Sequence, residues 1–215
     1  MDIYKITLLR HGESVGNAEG YYQGQYDFPL TPRGKNQVRR VVARWQADGS
    51  IFDQVIASPL KRAKETAEMV AEGLNVPLQF DPDWMERDNG KLGGMKREDA
   101  DEQFPRPDFF TPYDNIAETG EGDFALYLRA GRAIQSILQM PPARYLVVSH
   151  GGILNQALHV ILGITPQANG QGTHFRFRNT AFSTLFYEPD HHNWVFWGLN
   201  DFTHLVVKNV EIIEE

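Results

Sequence analysis

The fold class of this chain is indicated by the stretch Leu8-Leu9-Arg10-His11-Gly12-Glu13-Ser14, where an apolar run ends in Arg-His-Gly before any helical period begins. A second apolar run, residues 145–148, ends in the same manner in Ser149-His150-Gly151-Gly152, and a third, Gln54–Ala57, leads into Ser58-Pro59. Short, bounded apolar runs between helical segments are typical of the buried parallel strands of α/β proteins. Sites in such proteins lie at the carboxyl ends of the strands, so we expect these three strand ends to meet.

Helical periodicity supports the same fold class. Thr31-Pro32 has the pattern of an N-cap followed by proline at the first helical position, and Ser58-Pro59 repeats that pattern. The four apolar stripes lie within residues 38–45, 60–74, 127–138 and 153–162. We therefore predict an α/β fold, a three-layer α/β/α sandwich with a mostly parallel central sheet, in a single domain over residues 1–215.

Two further segments depart from this alternation. Between about residues 84 and 119 the periodicity fails while glycine, proline and aromatic residues cluster, which predicts a small cap inserted over a site. Residues 174–198 contain β-branched and aromatic runs separated by Pro189-Asp190-His191-His192-Asn193, which predicts a hairpin at the sheet edge. Within it, residues 174–178 alternate like a half-buried strand.

Composition narrows the function classes. The 215 residues include 41% hydrophobic residues and carry a net charge of −7, which is a globular composition and not a disordered one. An acidic chain is a poor partner for nucleic acid or an anionic membrane, so we expect a small phosphorylated molecule as partner and leave a homodimer open. No cysteine is present, which excludes thiolate catalysis and disulfides. The absence of a signal-peptide pattern and of a long apolar run predicts a cytoplasmic location.

The predicted strand ends carry two histidines and two arginines. If those ends are adjacent, Arg10, His11, Arg62 and His150 surround one pocket. Guanidinium groups match phosphate oxygens in a bidentate manner, so the pocket suits a small dianion, above all a phosphoryl group.

The ordered motifs resemble one known family. They are Arg10-His11-Gly12-Glu13 with Asn17 following, residues 27–32 with Gly34, Ser58-Pro59-Leu60 with Arg62-Ala63, and Ser149-His150-Gly151-Gly152. In this order they resemble the histidine phosphatase superfamily, also called phosphoglycerate mutase-like, from residue 8 to about residue 180.

The resemblance implies a role for each matching residue. His11 is expected to be the nucleophile that accepts the phosphoryl group. Arg10, Arg62 and His150 are expected to hold the phosphoryl oxygens, and Glu86 to donate a proton to the leaving oxygen. The substrate-binding positions implied in the same way are Asn17, Gln23, Gly24 and Gly151. We predict no metal and no cofactor.

The cap sequence bears on the substrate class. Gly90-Lys91-Leu92-Gly93-Gly94 is similar to the mutase-like pattern Gly-x-Leu-x-Gly, and many phosphatases of this group have Gly-x-Trp-Glu-Gly instead. The adjacent arginine pair of cofactor-dependent phosphoglycerate mutases is missing between Glu86 and Thr119. An aromatic, proline-rich cap suits monoesters with an apolar or aromatic part. The favoured function is therefore a metal-independent phosphomonoesterase, with a phosphoglycerate mutase as the alternative.

Two other classes remain as weaker hypotheses. Asp190-His191-His192 has the letters of the Asp-His-His signature of metal-dependent phosphoesterases. It lies in a turn context, and no second Asp-rich strand end supplies further ligands. A non-catalytic phosphate-binding protein is disfavoured because all five catalytic positions are filled.

Overall fold

One six-stranded sheet forms the centre of the protein, in a computed structural model that describes residues 3–206. Its strands are β1 (Tyr4–Arg10), β2 (Gln54–Ala57), β3 (Leu78–Phe80), β4 (Arg144–Ser149), β5 (Phe182–Glu188) and β6 (Asn193–Asp201). The strand order is β3-β2-β4-β1-β5-β6, and the first four are mutually parallel. The last two strands pair antiparallel, which completes a mostly parallel sheet as predicted.

Four of the helices cover the two faces of this sheet, and two short ones lie in loops. The helices are α1 (Val15–Ala18), α2 (Pro32–Ala47), α3 (Lys61–Leu74), α4 (Arg97–Gln103), α5 (Asp123–Leu138) and α6 (Gly151–Leu162), of which α1 and α4 are the short ones. Successive strand side chains point to opposite faces, so Leu8 packs with α5 and α6 while Leu9 packs with α2 and α3. The three-layer α/β/α arrangement is therefore confirmed.

The predicted N-cap is confirmed for α2 but not for α3. Thr31 is the N-cap of α2, with its Oγ1 accepting a hydrogen bond from the Gly34 N–H at 2.9 Å, and Pro32 follows as predicted. The prediction that Ser58 caps α3 is wrong, because the helix begins at Lys61 after an N-cap residue without a side-chain cap. The Ser58 hydroxyl lies 2.8 Å from His150 Nε2 instead.

The predicted edge hairpin is confirmed as β5 and β6, joined by a 3₁₀ turn at Pro189–His191. Residues 174–178 are not a strand, although Phe177 is buried and its neighbours are exposed. Their backbone groups bond to side chains: Phe175 N–H donates to Asn155 Oδ1, and Phe177 C=O accepts from Arg10. Buried and exposed side chains therefore alternate in residues 174–178 although this segment pairs with no strand among the described residues.

The segment from residue 84 to residue 119 contains the seven-residue helix α4 and 3₁₀ turns at Gly90–Leu92 and Ile116–Glu118. It begins at the fully buried Trp84. Backbone hydrogen bonds join it to the loop after α1, with Gly94 N–H donating to Tyr22 C=O and Tyr22 N–H donating to Met95 C=O. The segment therefore packs against the loop that follows the first motif.

In the part of the chain that the structure describes, no helix combines the length and the apolar character needed to cross a membrane.

Candidate active site

The carboxyl ends of β1, β2 and β4 lie side by side. Arg10 pairs with Ser149 in the ladder, and Ala57 pairs with Val148. The chain leaves β1 with His11 N–H donating to Ser149 C=O at 2.9 Å, and it leaves β2 just before Ser58. Parallel pairing thus brings together the first, third and fourth motifs, which are far apart in sequence.

His11 has the hydrogen-bond pattern of a neutral imidazole. Its side chain is 2% exposed, and its Nδ1 lies 2.7 Å from the carbonyl oxygen of Gly12, which can only accept. Nδ1 therefore carries the ring proton, and Nε2 keeps its lone pair, which accepts from Arg62 Nε at 3.3 Å. Burial, with the charges of Arg62 and Arg10, lowers the pKa of His11 well below its ordinary value. The ring is thus an unprotonated nucleophile at neutral pH.

Arg62 and Arg10 flank this ring. Arg62 is 1% exposed and donates to the carbonyls of Gly24 at 2.7 Å and Tyr26 at 3.0 Å, so the loop after α1 holds its guanidinium in place. Burial lowers the pKa of Arg62 to about 10, which leaves it charged at neutral pH. Arg10 donates to Phe177 C=O at 2.6 Å, and its buried Nε has no hydrogen-bond partner among the described residues.

His150 lies beside His11, with ring centroids 5.0 Å apart. Ser58 Oγ accepts from Leu60 N–H and lies 2.8 Å from His150 Nε2. The other ring nitrogen, Nδ1, is a buried atom without a partner among the described residues. Burial, followed by the charges of Arg62, His11 and Arg10, lowers the pKa of His150 well below its ordinary value. His150 is therefore an unprotonated imidazole at neutral pH.

Glu86 lies at the amino end of α6. Its Oε2 accepts from Gly152 N–H at 3.0 Å, and its Oε1 accepts from Ile153 N–H at 3.2 Å and Arg87 N–H at 2.9 Å. A carboxylate suits a helix N-terminus because free N–H groups and the helix dipole favour negative charge. A Cβ atom at Gly152 would lie 2.4 Å from Glu86 Oε1, so glycine at this position makes room for the carboxylate.

The four predicted substrate-binding residues are placed differently from one another. Asn17 Oδ1 accepts from Asn179 Nδ2, and Asn179 also donates to His11 C=O, so both amides adjoin the site. Gln23 Oε1 accepts from Ser14 Oγ at 2.6 Å. Gly24, the next residue of this loop, contributes its carbonyl oxygen, which accepts a hydrogen bond from Arg62 Nη2. The loop therefore acts in the free protein by holding the site together.

A cavity of about 480 Å³ has in its lining Arg10 and Gly151, the sequence neighbours of His11 and His150. The ion pair between Arg87 and Asp123, 2.5 Å long, lies at its wall. The aromatic cap residue Tyr113 is exposed and lies outside the lining. Much of the wall belongs to α6 and residues 164–177, including Asn155, Gln156, His159, Thr173, His174 and Phe175.

Sequence reasoning missed the residues that support the site. Ser58 was assigned to a helix cap, and Thr66 on α3, whose Oγ1 accepts from Gly12 N–H at 3.1 Å, had no motif. Arg129 was hidden in the apolar stripe of α5, although it binds the backbone before Glu86. A charged residue on the buried face of an amphipathic helix is the signal that would have indicated it.

The Asp-His-His tripeptide lies elsewhere. Residues 190–192 form the turn between β5 and β6, where β5 ends beside the start of β1, at the opposite end of the sheet from His11. Within residues 3–206 no group of three or more histidine, aspartate or glutamate side chains is arranged to hold a metal ion.

The fold is that of an α/β protein with a doubly covered, mostly parallel sheet, and the two histidines and two arginines at its strand ends are suited to binding a phosphoryl group. The family model of the histidine phosphatase superfamily (branch 1) matches residues 6–200, and the chain belongs to this family. It is 33% identical to the "Probable phosphoglycerate mutase GpmB" of Salmonella paratyphi C over 208 residues, 94% of each chain.

Solved structures show the same fold. Bacillus stearothermophilus YhfR superposes with a TM-score of 0.80 at 24% identity and covers 94% of this chain and 98% of its own. A phosphoserine phosphatase mutant from Entamoeba histolytica, in complex with phosphoserine, superposes with a TM-score of 0.74 at 25% identity. That match covers 94% of this chain and all of the other.

Proposed function

We propose that the protein is a metal-independent phosphatase that hydrolyses small phosphomonoesters through a phosphohistidine on His11. The observation that carries the proposal is the buried His11 ring, whose Nδ1 is bound to Gly12 C=O and whose Nε2 faces Arg62. A neutral imidazole with a fixed tautomer is a competent nucleophile at neutral pH. The proposed place of action is the cytoplasm.

In the first step His11 Nε2 forms a bond to phosphorus while the bond from phosphorus to the leaving oxygen breaks. The charge of this transfer is spread over the three remaining phosphoryl oxygens. Arg10 Nε and His150 Nδ1 are buried nitrogen atoms without partners among the described residues, and with a proton on each they suit these oxygens. Arg62 supplies a second positive charge held rigidly by backbone carbonyls.

Glu86 is proposed to donate the proton that the leaving oxygen needs. In this proposal the proton passes from the Glu86 carboxyl group to the leaving oxygen as the bond between phosphorus and that oxygen breaks. In the second step water attacks phosphorus, Glu86 takes a proton from that water, and the bond to His11 Nε2 breaks. The products are the alcohol and inorganic phosphate, with both side chains restored.

The cavity beside Arg10 and Gly151 is the proposed place of the organic part of the substrate. Its wall includes amide, hydroxyl and imidazole groups from α6 and residues 164–177, so the substrate is expected to carry polar groups there. Two of the similar proteins are named as a phosphoglycerate mutase and a phosphoserine phosphatase, and both names are compatible with a small phosphorylated substrate.

A phosphoglycerate mutase is the second candidate. Arg97 on α4 lies over the Tyr22 ring at 5.7 Å. Burial lowers the pKa of Arg10, Glu86 raises it, and the charge of Arg97 lowers it by a smaller amount. A further cation near the phosphoryl site would suit a substrate with a second anionic group. Other cap cations have partners of their own: Arg87 pairs with Asp123, Lys91 pairs with Glu118, Lys96 lies over the Tyr21 ring and Arg106 donates to Asn169 C=O.

The test is hydrolysis of p-nitrophenyl phosphate with excess EDTA by the wild type, His11→Ala and the control His191→Ala, which removes an exposed histidine of the metal-like tripeptide. We expect EDTA-resistant turnover that falls by more than about 10³-fold in His11→Ala and is unchanged in the control. Turnover that EDTA abolishes, or that survives in His11→Ala, would refute the proposal. A folded wild type without turnover would favour the mutase, tested by interconversion of 3- and 2-phosphoglycerate primed with 2,3-bisphosphoglycerate.

A further inference from the structure

Arg129, on the buried face of α5, makes an unusual set of contacts. Its side chain is 11% exposed and forms a bidentate ion pair with Glu121, with Nε to Oε1 at 2.9 Å and Nη2 to Oε2 at 2.6 Å. The guanidinium also donates to backbone carbonyls of the segment that ends in Glu86. One buried cation therefore binds both a carboxylate and a stretch of backbone.

All four carbonyls of residues 83–86 accept hydrogen bonds from side chains. The donors are Arg129 Nη1 to Asp83 C=O at 3.0 Å and to Met85 C=O at 2.5 Å, Ser149 Oγ to Trp84 C=O at 2.6 Å, and Arg129 Nη2 and Gln25 Nε2 to Glu86 C=O at 3.2 and 3.1 Å. This segment leaves a 3₁₀ turn at Trp84 and has no strand partner. Its path is thus set by side chains from α5 and the end of β4.

The path of this segment determines where the Glu86 carboxylate lies. The carboxylate meets the N–H groups of Gly152 and Ile153, which belong to a different element from the one that holds its backbone. A buried ion pair is weak evidence for stability, because its desolvation cost offsets much of the attraction. The planar guanidinium of Arg129 binds a carboxylate and several carbonyls at once, so it is well suited to fixing the position of this backbone segment.

We propose that Arg129 is a positioning residue for proton transfer: it holds residues 83–86 so that Glu86 can reach the leaving oxygen. This inference rests on the proposed role of Glu86 as proton donor. Arg129 acts through Glu86 and does not itself touch the reacting atoms.

Two substrates that differ in their need for a proton test the inference. Phenyl phosphate has a poor leaving group and depends on protonation, whereas 2,4-dinitrophenyl phosphate leaves readily without it. For Arg129→Lys we expect kcat/KM, which reports phosphoryl transfer to His11, to fall about 10- to 100-fold with phenyl phosphate and less than about threefold with 2,4-dinitrophenyl phosphate. The reference Glu86→Gln should show the same selective pattern, and the double variant should lose little more than Glu86→Gln alone.

The matched control is Arg132→Lys, one turn further along α5. Arg132 binds the side chain of Asp83 at 3.1 Å from the surface, and it is 62% exposed. We expect it to leave kcat/KM for both esters unchanged. If Arg129→Lys does not fold, as judged by circular dichroism, Ser149→Ala removes only the hydrogen bond to Trp84 C=O. It should lower kcat/KM for phenyl phosphate about threefold more than for the dinitrophenyl ester.

The outcomes distinguish a failure of the proposed function from a failure of the positioning role. A wild type that hydrolyses neither ester, or a Glu86→Gln variant that lowers kcat/KM equally for both, would refute the proposed function or its proton donor. A selective loss in Glu86→Gln together with an equal loss, or none, in Arg129→Lys would overturn the positioning role alone. If only Ser149→Ala folds, an equal effect on both esters overturns it.

Discussion

Acidification is expected to destabilise this protein through two buried histidines before its carboxylates take up protons. His11 and His150 are 2% and 0% exposed, and burial together with nearby charges, first that of Arg62, lowers the pKa of each well below its ordinary value. In the unfolded chain both imidazoles return to a pKa of about 6.5. Below that pH the unfolded state binds more protons than the folded state, so the free energy of unfolding falls as the pH falls.

The size of the effect follows from this linkage. Between pH 7.5 and pH 5.5, a histidine that stays neutral in the folded state lowers the free energy of unfolding by about 1.4 kcal/mol, and two lower it by about 2.7 kcal/mol. Asp53, whose pKa is lowered to about 2 by Arg144, adds pH dependence only at lower pH. His204, half-buried with a pKa of about 4, also stays neutral in the folded protein between pH 7.5 and pH 5.5 and adds to this loss, so single variants are needed.

The assay is urea unfolding at pH 7.5, 6.5 and 5.5, followed by tryptophan fluorescence, since the chain has 4 tryptophans. His11→Gln should reduce the loss of free energy between pH 7.5 and pH 5.5 by about 1.4 kcal/mol relative to the wild type. The control His191→Gln removes an exposed histidine and should keep the wild-type slope. A wild-type free energy that is constant over this range, or an unchanged slope in His11→Gln, would contradict the buried neutral pair.

Three further predictions concern the site and the helix start that supports it. Arg62→Lys should lower turnover of p-nitrophenyl phosphate about 10²- to 10³-fold, because lysine cannot bind two carbonyls and His11 at once; unchanged steady-state turnover would show that the guanidinium is dispensable. Thr31→Ala should lower the free energy of unfolding in urea by about 1 kcal/mol, while Thr31→Ser, which keeps the capping hydroxyl, should not; equal losses would argue against the cap. Gly34→Ala places a Cβ atom 2.0 Å from Glu13 C=O and should destabilise by about 1–3 kcal/mol, so a wild-type urea midpoint would contradict the close packing of α2 on the first motif.

Much of the candidate site was predictable, because its main residues lie directly after strands. The motif that contains His11 and the motif that contains His150 each follow a short apolar run, and parallel strands bring such ends together. Glu86 had no comparable local signal, since it lies in a segment without periodicity. Its place at the amino end of α6 depends on hydrogen bonds to residues 66 and 67 positions away.

Local sequence patterns are enough to predict the layers of the fold and the residue types at the strand ends. Apolar periodicity, the Thr31-Pro32 cap and the edge hairpin are such patterns, and they need only near neighbours to take effect. Three other properties become visible only in the folded chain: the neutral state of His11 and His150, the contact of the Ser58 hydroxyl with His150 in place of a helix cap, and the contribution of residues 164–177 to the cavity wall. These properties depend on burial and on contacts between groups far apart in the chain, which no local pattern encodes.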